Sequence, residues 1–414
     1  MAYKTALGEE AHHRLDEIGQ ADILVGIPSY NNAKTIGHVV RTAAEGMVKY
    51  FPDLKPVLIN SDGGSTDGTM EVARQAPVPR GVEKIITEYI GPSGKGSAFR
   101  TIFGIAQALG VQVCVVVDSD LRSIEPWWIE RLAGPIIEGE YDFVAPFYNR
   151  HKYDGTITNN ICYPMTRTLY GLDVRQPIGG DFGFSTELAE SYLAKDVWDT
   201  DVARFGVDIW MTTTAINEGW RICQAHLGAK IHDVKDPATT LGPMFMQVVG
   251  TLFWLMGLYE DNWRKAKGGR PAPFYGEPVE AEPEPVQVTL EAMIDKMRAG
   301  IGEFGDLWQV ILTPDNFLRV EKIATLDYED YAFPAELWVK VVFEFAVAYN
   351  KSDLVPEEII RAMTPLYYGR TAALVAETWE MNNAQAEEAI KAQARIFEGL
   401  KPYLVERWAL VGAS

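Results

Sequence analysis

Four times between Ala21 and Pro126 an apolar run of strand length ends in a loop of Gly, Ser, Asp or Lys, with helix-spaced residues beyond it. The runs are ADILVGIPSY, KPVLINSD, VEKIITEYI and VQVCVVVDSD; helical spacing follows over Thr35–Phe51, from Thr69, over Ser97–Leu109 and from about Glu125-Pro126. Strand, loop and helix in repetition predict a parallel or mostly parallel α/β sheet flanked by helices. Such sheets bind ligands at the carboxyl ends of their strands, and the polar loops here all sit at those ends.

The alternation runs to about Thr239. Lys267–Val286 (KGGRPAPFYGEPVEAEPEPV) then changes to Pro, Gly and Glu, the composition of a linker or a surface-wrapping arm. Beyond it, apolar residues at three-to-four spacing predict helices from Thr289 to Trp408. The expected organisation is therefore an N-terminal segment (1–20), an α/β domain (21–265), a linker (266–288) and a helical C-terminal domain (289–414). The longest uncharged stretch, Pro243–Tyr259, is short for a membrane span, contains Gln247 and abuts Glu260 and Asp261, so a buried or interface helix is expected instead.

Charge excludes some partners. With 38 Lys+Arg against 57 Asp+Glu the formal net charge is −19, which argues against a nucleic-acid binder and against a polybasic membrane-surface protein. Cys114, Cys162 and Cys223 are far apart and form no CxxC pair, as expected for buried thiols in a reducing cytoplasm. The first residues lack the apolar core of a secretory signal.

The chemistry concentrates at four places. Asp118-Ser119-Asp120 closes the most hydrophobic run, a hard-oxygen corner suited to Mg²⁺ or Mn²⁺ shared with phosphate oxygens; the alternative is a pair of acids capping the next helix. Asp62-Gly63-Gly64-Ser65-Thr66-Asp67-Gly68-Thr69 permits close backbone approach and offers carboxylates to a base or ribose, or else makes a turn and an N-cap. Gly94-Lys95-Gly96-Ser97 opens a helix. It fails the GxxxxGK[ST] pattern, yet a Lys between glycines at a helix N-terminus suits a diphosphate; a plain surface turn is the other reading. Lys230-Ile231-His232 looks strand-like, and its imidazole is a metal ligand or an ordinary core or surface histidine.

Taken in order, IPSYNNAKTIG, NSDGGSTDGT, GKGSA and VVVDSD resemble a GT-A-fold nucleotide-sugar glycosyltransferase. Gln176–Asp181 (QPIGGD), Phe205–Asp208 (FGVD) and Lys230–His232 resemble the retaining glucosyl-3-phosphoglycerate and mannosyl-3-phosphoglycerate synthases, and the helical tail resembles the extension of some glucosylglycerate synthases. The resemblance covers residues 21–240. It implies that Pro28, Ser29 and Tyr30 wall the base, and that Asp62 binds the base or ribose edge. Lys95 would contact the diphosphate, with Ser119 on the donor side as well. Asp120 and His232 would bind the metal, with Asp118 toward the ribose or metal. Gly179 and Gly180 would admit the sugar, and Asp208 would face sugar and acceptor. Thr156 and Thr158 would contact the acceptor. Two positions depart from the family pattern. An acidic pair becomes Asn32-Ala33, and Gly-Arg-Val-Thr becomes Gly155-Thr156-Ile157-Thr158, which removes a bidentate phosphate clamp. Either Arg150, His151 or Lys152 compensates, or the acceptor is an unphosphorylated hydroxy acid such as glycerate, the reading favoured here.

The leading expectation is thus a metal-dependent retaining hexosyltransferase. It would use a UDP-, GDP- or ADP-hexose, glucose ahead of mannose, and a small anionic acceptor, in a cytoplasmic homodimer. An inverting transferase acting on a polysaccharide or lipid phosphate would need a carboxylate base, for which Asp181 or Asp208 could serve. A sugar-nucleotide-binding protein without turnover is the third reading.

Overall fold

The computed structural model describes residues 6–232 and 241–411. Its chain groups into two compact units, neither continuous in sequence: residues 1–149, 176–233 and 272–283 in the first, and 150–175, 234–271 and 284–414 in the second. These interleaved limits differ from the linear division expected at 265 and 289.

The first unit is built on β1 (Ile23–Ser29), β2 (Pro56–Asp62), β3 (Glu83–Glu88), β4 (Val113–Val116) and β5 (Phe143–Asn149). After β6 (Leu172–Asp173), which is in the second unit, come β7 (Phe182–Ser185) and β8 (Ile222–Ala229). The strand β9 (Arg270–Pro271) pairs with β6, and β10 (Phe274–Tyr275) returns to the first unit. The large sheet has the order β10-β8-β5-β7-β4-β1-β2-β3. All its pairings are parallel except those of β7, which runs antiparallel to both β4 and β5. The mostly parallel α/β sheet read from sequence is present.

Strands β1, β2 and β4 are closed to solvent along their whole lengths, as strands covered on both faces must be. The period of two sorts their side chains. Ile23, Val25 and Ile27 join the core formed with the helices Ile36–Tyr50 and Pro126–Ile137, where Val39, Met47, Trp128 and Leu132 are fully or almost fully buried. Each such aliphatic side chain contributes about 1.5–3 kcal/mol. Gly26 faces the other way. A Cβ there would lie 2.6 Å from the Ile102 side chain, so its absence lets the helix Lys95–Leu109 lie directly on the sheet.

The proline-rich arm does not merely connect. Its residues 272–283 are part of the first unit, and β10 adds an edge strand with Phe274 opposite Gln224 and its ring stacked on His226 at 4.6 Å.

The second unit is helical, and the C-terminal extension expected from sequence comprises Leu290–Ile311, Pro314–Ala324, Ala335–Lys351, Pro356–Glu377, Asn383–Gly399 and Lys401–Val411. The uncharged stretch forms the helix Gly242–Leu258, with Phe245, Leu252, Phe253 and Met256 buried. No helix among the described residues is long and apolar enough to cross a membrane. The three cysteines are buried and unbridged.

Candidate active site

Two loops at the carboxyl ends of β1 and β2 are sewn together by side chains meeting backbone. Asn31 takes φ +56, a left-handed conformation that Asn tolerates better than most residues. In that pose its N–H donates to Ser65 Oγ at 2.8 Å while its Oδ1 accepts from Thr66 N–H at 2.9 Å. Asn32 N–H donates to Thr69 Oγ1 and Ala33 N–H to Asp67 Oδ2. Asn32 Oδ1 in turn accepts from Ser119 Oγ at 2.8 Å, and Ser119 O accepts from Thr35 Oγ1, which ties in the end of β4.

This construction corrects two assignments. Asp62 is fully buried, and its carboxylate accepts from the N–H groups of Gly64 and Ser65 and the hydroxyls of Ser29 and Ser65. Four donors occupy the lone-pair sites a carboxylate offers, so Asp62 shapes the loop and is not free for a base or ribose. Ser29 is spent in the same way, donating to Asp62 and accepting from Asn60. Of the three residues expected to wall a base, Pro28 and Ser29 are buried in β1, and Tyr30, 62% exposed, presents its ring.

Past β4 lies a chain of charges. Gly94 and Gly96 permit close packing: a Cβ on Gly96 would lie 1.8 Å from Val202 O, and one on Gly94 would lie 2.6 Å from Ala203 O. The helix N-terminus is thereby pressed onto residues 202–204 with Lys95 projecting. Lys95 Nζ lies 2.9 Å from Asp118 Oδ1 and 3.3 Å from Asp208 Oδ2. Lys230 Nζ donates at 2.8 Å to each of Asp118 Oδ2, Asp181 Oδ2 and Gly179 O. Asp181, fully buried, also accepts from Asp118 N–H and from the Tyr148 hydroxyl. Asp208 stands in the first turn of the helix Val207–Asn217, and its Oδ1 is buried with no hydrogen-bond partner among the described residues. Asp120 Oδ2 and His232 Nδ1 are 3.9 Å apart.

Burial acts first on each of these groups, and the neighbours decide the outcome. Burial disfavours the Lys95 ammonium, but Asp118 and Asp208 outweigh it and hold its pKa above the ordinary value. Burial likewise disfavours the Asp118 carboxylate, yet Lys230 and Lys95 drive its pKa down. Asp120 is raised by burial and then by the charge of Asp118. Asp208 is raised by burial, against the pull of Lys95.

Both Asp118 oxygens are thus taken by lysines, so the ligand expected toward a metal is engaged elsewhere. Asp120 and His232 do lie side by side, although β8 ends at Ala229 and the histidine follows the strand instead of lying in it. No cage of three or more His, Cys, Asp or Glu side chains exists among the described residues. The residues nevertheless fit a divalent cation. Four carboxylates (Asp118, Asp120, Asp181, Asp208) face two ammonium groups (Lys95, Lys230), an excess of two negative charges, and a carboxylate beside an imidazole suits Mn²⁺ or Mg²⁺ completed by phosphate oxygens.

Gly180, at φ +93, serves this cluster: a Cβ there would lie 2.2 Å from Asp118 Oδ2 and 2.9 Å from Lys230 Nζ. Gly179 is closed off by Pro146, 2.2 Å from where its Cβ would stand. The glycines expected to admit a sugar are thus required by the protein's own packing. Sequence reasoning quoted Lys230 only as part of its segment, with no role of its own, and passed over Tyr148. A lysine one residue past an apolar strand carries no local sign of burial, and only pairing with acids distant in sequence could have revealed it.

Thr156 and Thr158 belong to the second unit. There Thr156 Oγ1 lies 2.5 Å from the Tyr367 hydroxyl, and Thr158 begins the single π-helical turn Thr158–Cys162. Of the cations nearby in sequence, Lys152 donates to the carbonyls of Thr378, Trp379 and Met381, and Arg150 pairs with Asp154 at 2.8 Å. Both are committed to holding structure together.

Residues 24–188 match the family model described as Glycosyl transferase family 2. With the sheet and the charged strand end described above, that match defines a glycosyltransferase. Within this class the chain is similar to glucosyl-3-phosphoglycerate synthases. It is 27% identical over 264 residues to the Mycobacterium tuberculosis enzyme, a span of 58% of this chain and 75% of the relative. To the Petrotoga mobilis enzyme it is 26% identical over 256 residues, covering 57% and 73%. The solved structure of the M. tuberculosis synthase in complex with Mn²⁺, uridine diphosphate and phosphoglyceric acid gives a TM-score of 0.45 at 25% identity, covering 61% of this chain and 84% of that chain.

Proposed function

We propose that this glycosyltransferase moves a hexose, glucose ahead of mannose, from a nucleoside diphosphate donor to a small hydroxy acid, glycerate or 3-phosphoglycerate, with retention at the anomeric carbon. The observation that carries the reading is the cluster at the end of β4, where two lysines and four carboxylates leave two negative charges in excess. Its excess charge is of the size a divalent ion cancels, and its looser lysine can meet a diphosphate.

Asp120 and His232 would hold the cation, and when bound it supplies Lewis-acid stabilisation to a departing diphosphate. The chain's own residues do the rest. Tyr30 offers an exposed ring to the base. Lys95 neutralises charge growing on the leaving group as the anomeric C–O bond breaks. The acceptor hydroxyl attacks from the face the diphosphate leaves, and its proton passes to the leaving phosphate. Asp208, with one buried oxygen lacking a donor, orients a hydroxyl of the sugar or acceptor. With Lys152 and Arg150 already engaged, glycerate is favoured over its phosphate ester, whereas the names of the similar enzymes favour the ester. The assembly is taken as a homodimer, and the three buried thiols suit a reducing cytoplasm.

A matrix of UDP-, GDP- and ADP-hexoses against glycerate and 3-phosphoglycerate, with Mg²⁺ or Mn²⁺ and nucleotide release as readout, tests the reading. NMR of the product anomer tests retention. An inverted linkage would transfer the role of base to Asp208, since Asp181 is sealed and holds three donors. Donor binding without turnover against every acceptor would leave a sugar-nucleotide-binding protein.

A further inference from the structure

The two lysines of the cluster are not equivalent. Lys230 is sealed, with 4% of its side chain exposed, and gives all three ammonium donors to oxygens at 2.8 Å. Its charge also sits 5.2 Å from the centre of the Tyr148 ring, and Tyr148 donates to the same Asp181 that Lys230 holds. Lys95 is 15% exposed, stands at the first position of its helix and makes longer contacts of 2.9, 3.3 and 3.4 Å.

Asp118 lies between them, one oxygen on each. Two further features bear on the Lys230 side. Gly180 has no Cβ where one would crowd Asp118 Oδ2 and Lys230 Nζ together, and Asp118 N–H is fastened to Asp181 Oδ1 at 2.7 Å. Lys230, Asp181 and the Asp118 backbone therefore form one closed arrangement that does not involve Lys95.

We propose that Lys230 is a fixed internal counter-ion and positioning residue that holds Asp118 in the donor site, which releases Lys95 to exchange from Asp118 onto an incoming diphosphate. The inference rests on the donor site proposed above. If Lys95 were the only cation on Asp118, its departure would strand a buried carboxylate. Lys230 removes that cost, because Asp118 keeps one short ion pair throughout. Division of labour follows: Lys230 governs the shape of the donor site and Lys95 answers the ligand.

The test is Lys230→Met in the full chain, with Mn²⁺ binding followed by electron paramagnetic resonance and binding of UDP, GDP and ADP in the presence of Mn²⁺ by calorimetry. Lys230→Met leaves the buried Asp181 and one Asp118 oxygen without their cation, and a loss of about 10-fold or more is expected in affinity for the nucleoside diphosphate. Affinity for Mn²⁺ alone should hold or tighten, because a positive charge has left its surroundings while Asp120 and His232 remain. A purely structural lesion would weaken both. Diphosphate affinity within about twofold of the unmodified chain would overturn the proposal. Should Lys230→Met not fold, Asp181→Asn with Lys230→Met removes both buried charges together. Donor binding should stay weak in that variant, since Asp118 lacks its clamp, and recovery to the original affinity would refute positioning. An unmodified chain that binds no nucleoside diphosphate overturns the donor-site reading and this inference with it, whereas normal binding by both chains overturns this inference alone.

Discussion

At the scale of single residues, Asp62 and Asp120 show how differently two strand-end aspartates are used. Asp62 is saturated by four protein donors, so Asp62→Ala should cost about 2–4 kcal/mol, the range for orphaning several buried donors. A thermal melt would show it. An unchanged melting temperature with lost nucleotide affinity would return Asp62 to the ligand. Asp120 has no such entanglement. Asp120→Ala should keep the melting temperature yet lower metal-dependent turnover by about 100-fold or more, beyond the loss typical of residues one step removed from a ligand. Burial and Asp118 raise the Asp120 pKa. Protons compete with a cation for this carboxylate, so Mn²⁺ affinity should fall as pH drops. The fall should start above the range of an ordinary aspartate at about 3.9. Mn²⁺ binding that held unchanged on acidification until the ordinary aspartate range, about pH 3.9, would contradict it. Sequence showed where these acids cluster, because an apolar run ending in Asp-Ser-Asp is visible by itself. It did not show which acid serves structure, since that depends on donors contributed by Ser29 and on a lysine 112 positions from Asp118.

At the scale of elements, the helix Lys95–Leu109 is placed by the glycines flanking Lys95. Gly96→Ala would set a methyl against Val202 O, and the helix start must withdraw. Displacing a reactive group by about 1 Å can cost on the order of 100-fold, so kcat/KM should fall by about that factor while circular dichroism stays unchanged. Activity near that of the unmodified chain would show that the helix start can shift freely. Strands β1, β2 and β4 were legible because burial on both faces writes a continuous apolar run. The antiparallel β7 was not, being four residues (FGFS) directly joined to a helix. Nor was β10, hidden in proline-rich sequence that reads as a connector and becomes a strand through pairing with β8.

At the scale of the whole molecule, helical spacing predicted the C-terminal helices, but nothing local announced that residues 150–175 fold with them. The bonds that bind them are long-range. Trp338 donates to Asn160 O, Gln393 to Asn159 O, Arg175 to Glu387, and Lys401 to Thr168 O. Arg370, 1% exposed, joins Gln393, Glu377 and Phe333 O. Arg370→Met should therefore destabilise the second unit by about 2–4 kcal/mol through the polar partners left behind, visible in chemical denaturation; an unchanged midpoint would show the network to be dispensable.

The path of the chain between units has a practical corollary. It passes from one to the other at 149/150, 175/176, 233/234, 271/272 and 283/284. Anyone wishing to graft the helical half onto another transferase cannot lift it out as a cassette. Cutting once after the arm would abandon the stretch on which those helices close, so a working chimera has to exchange three separate pieces of sequence together.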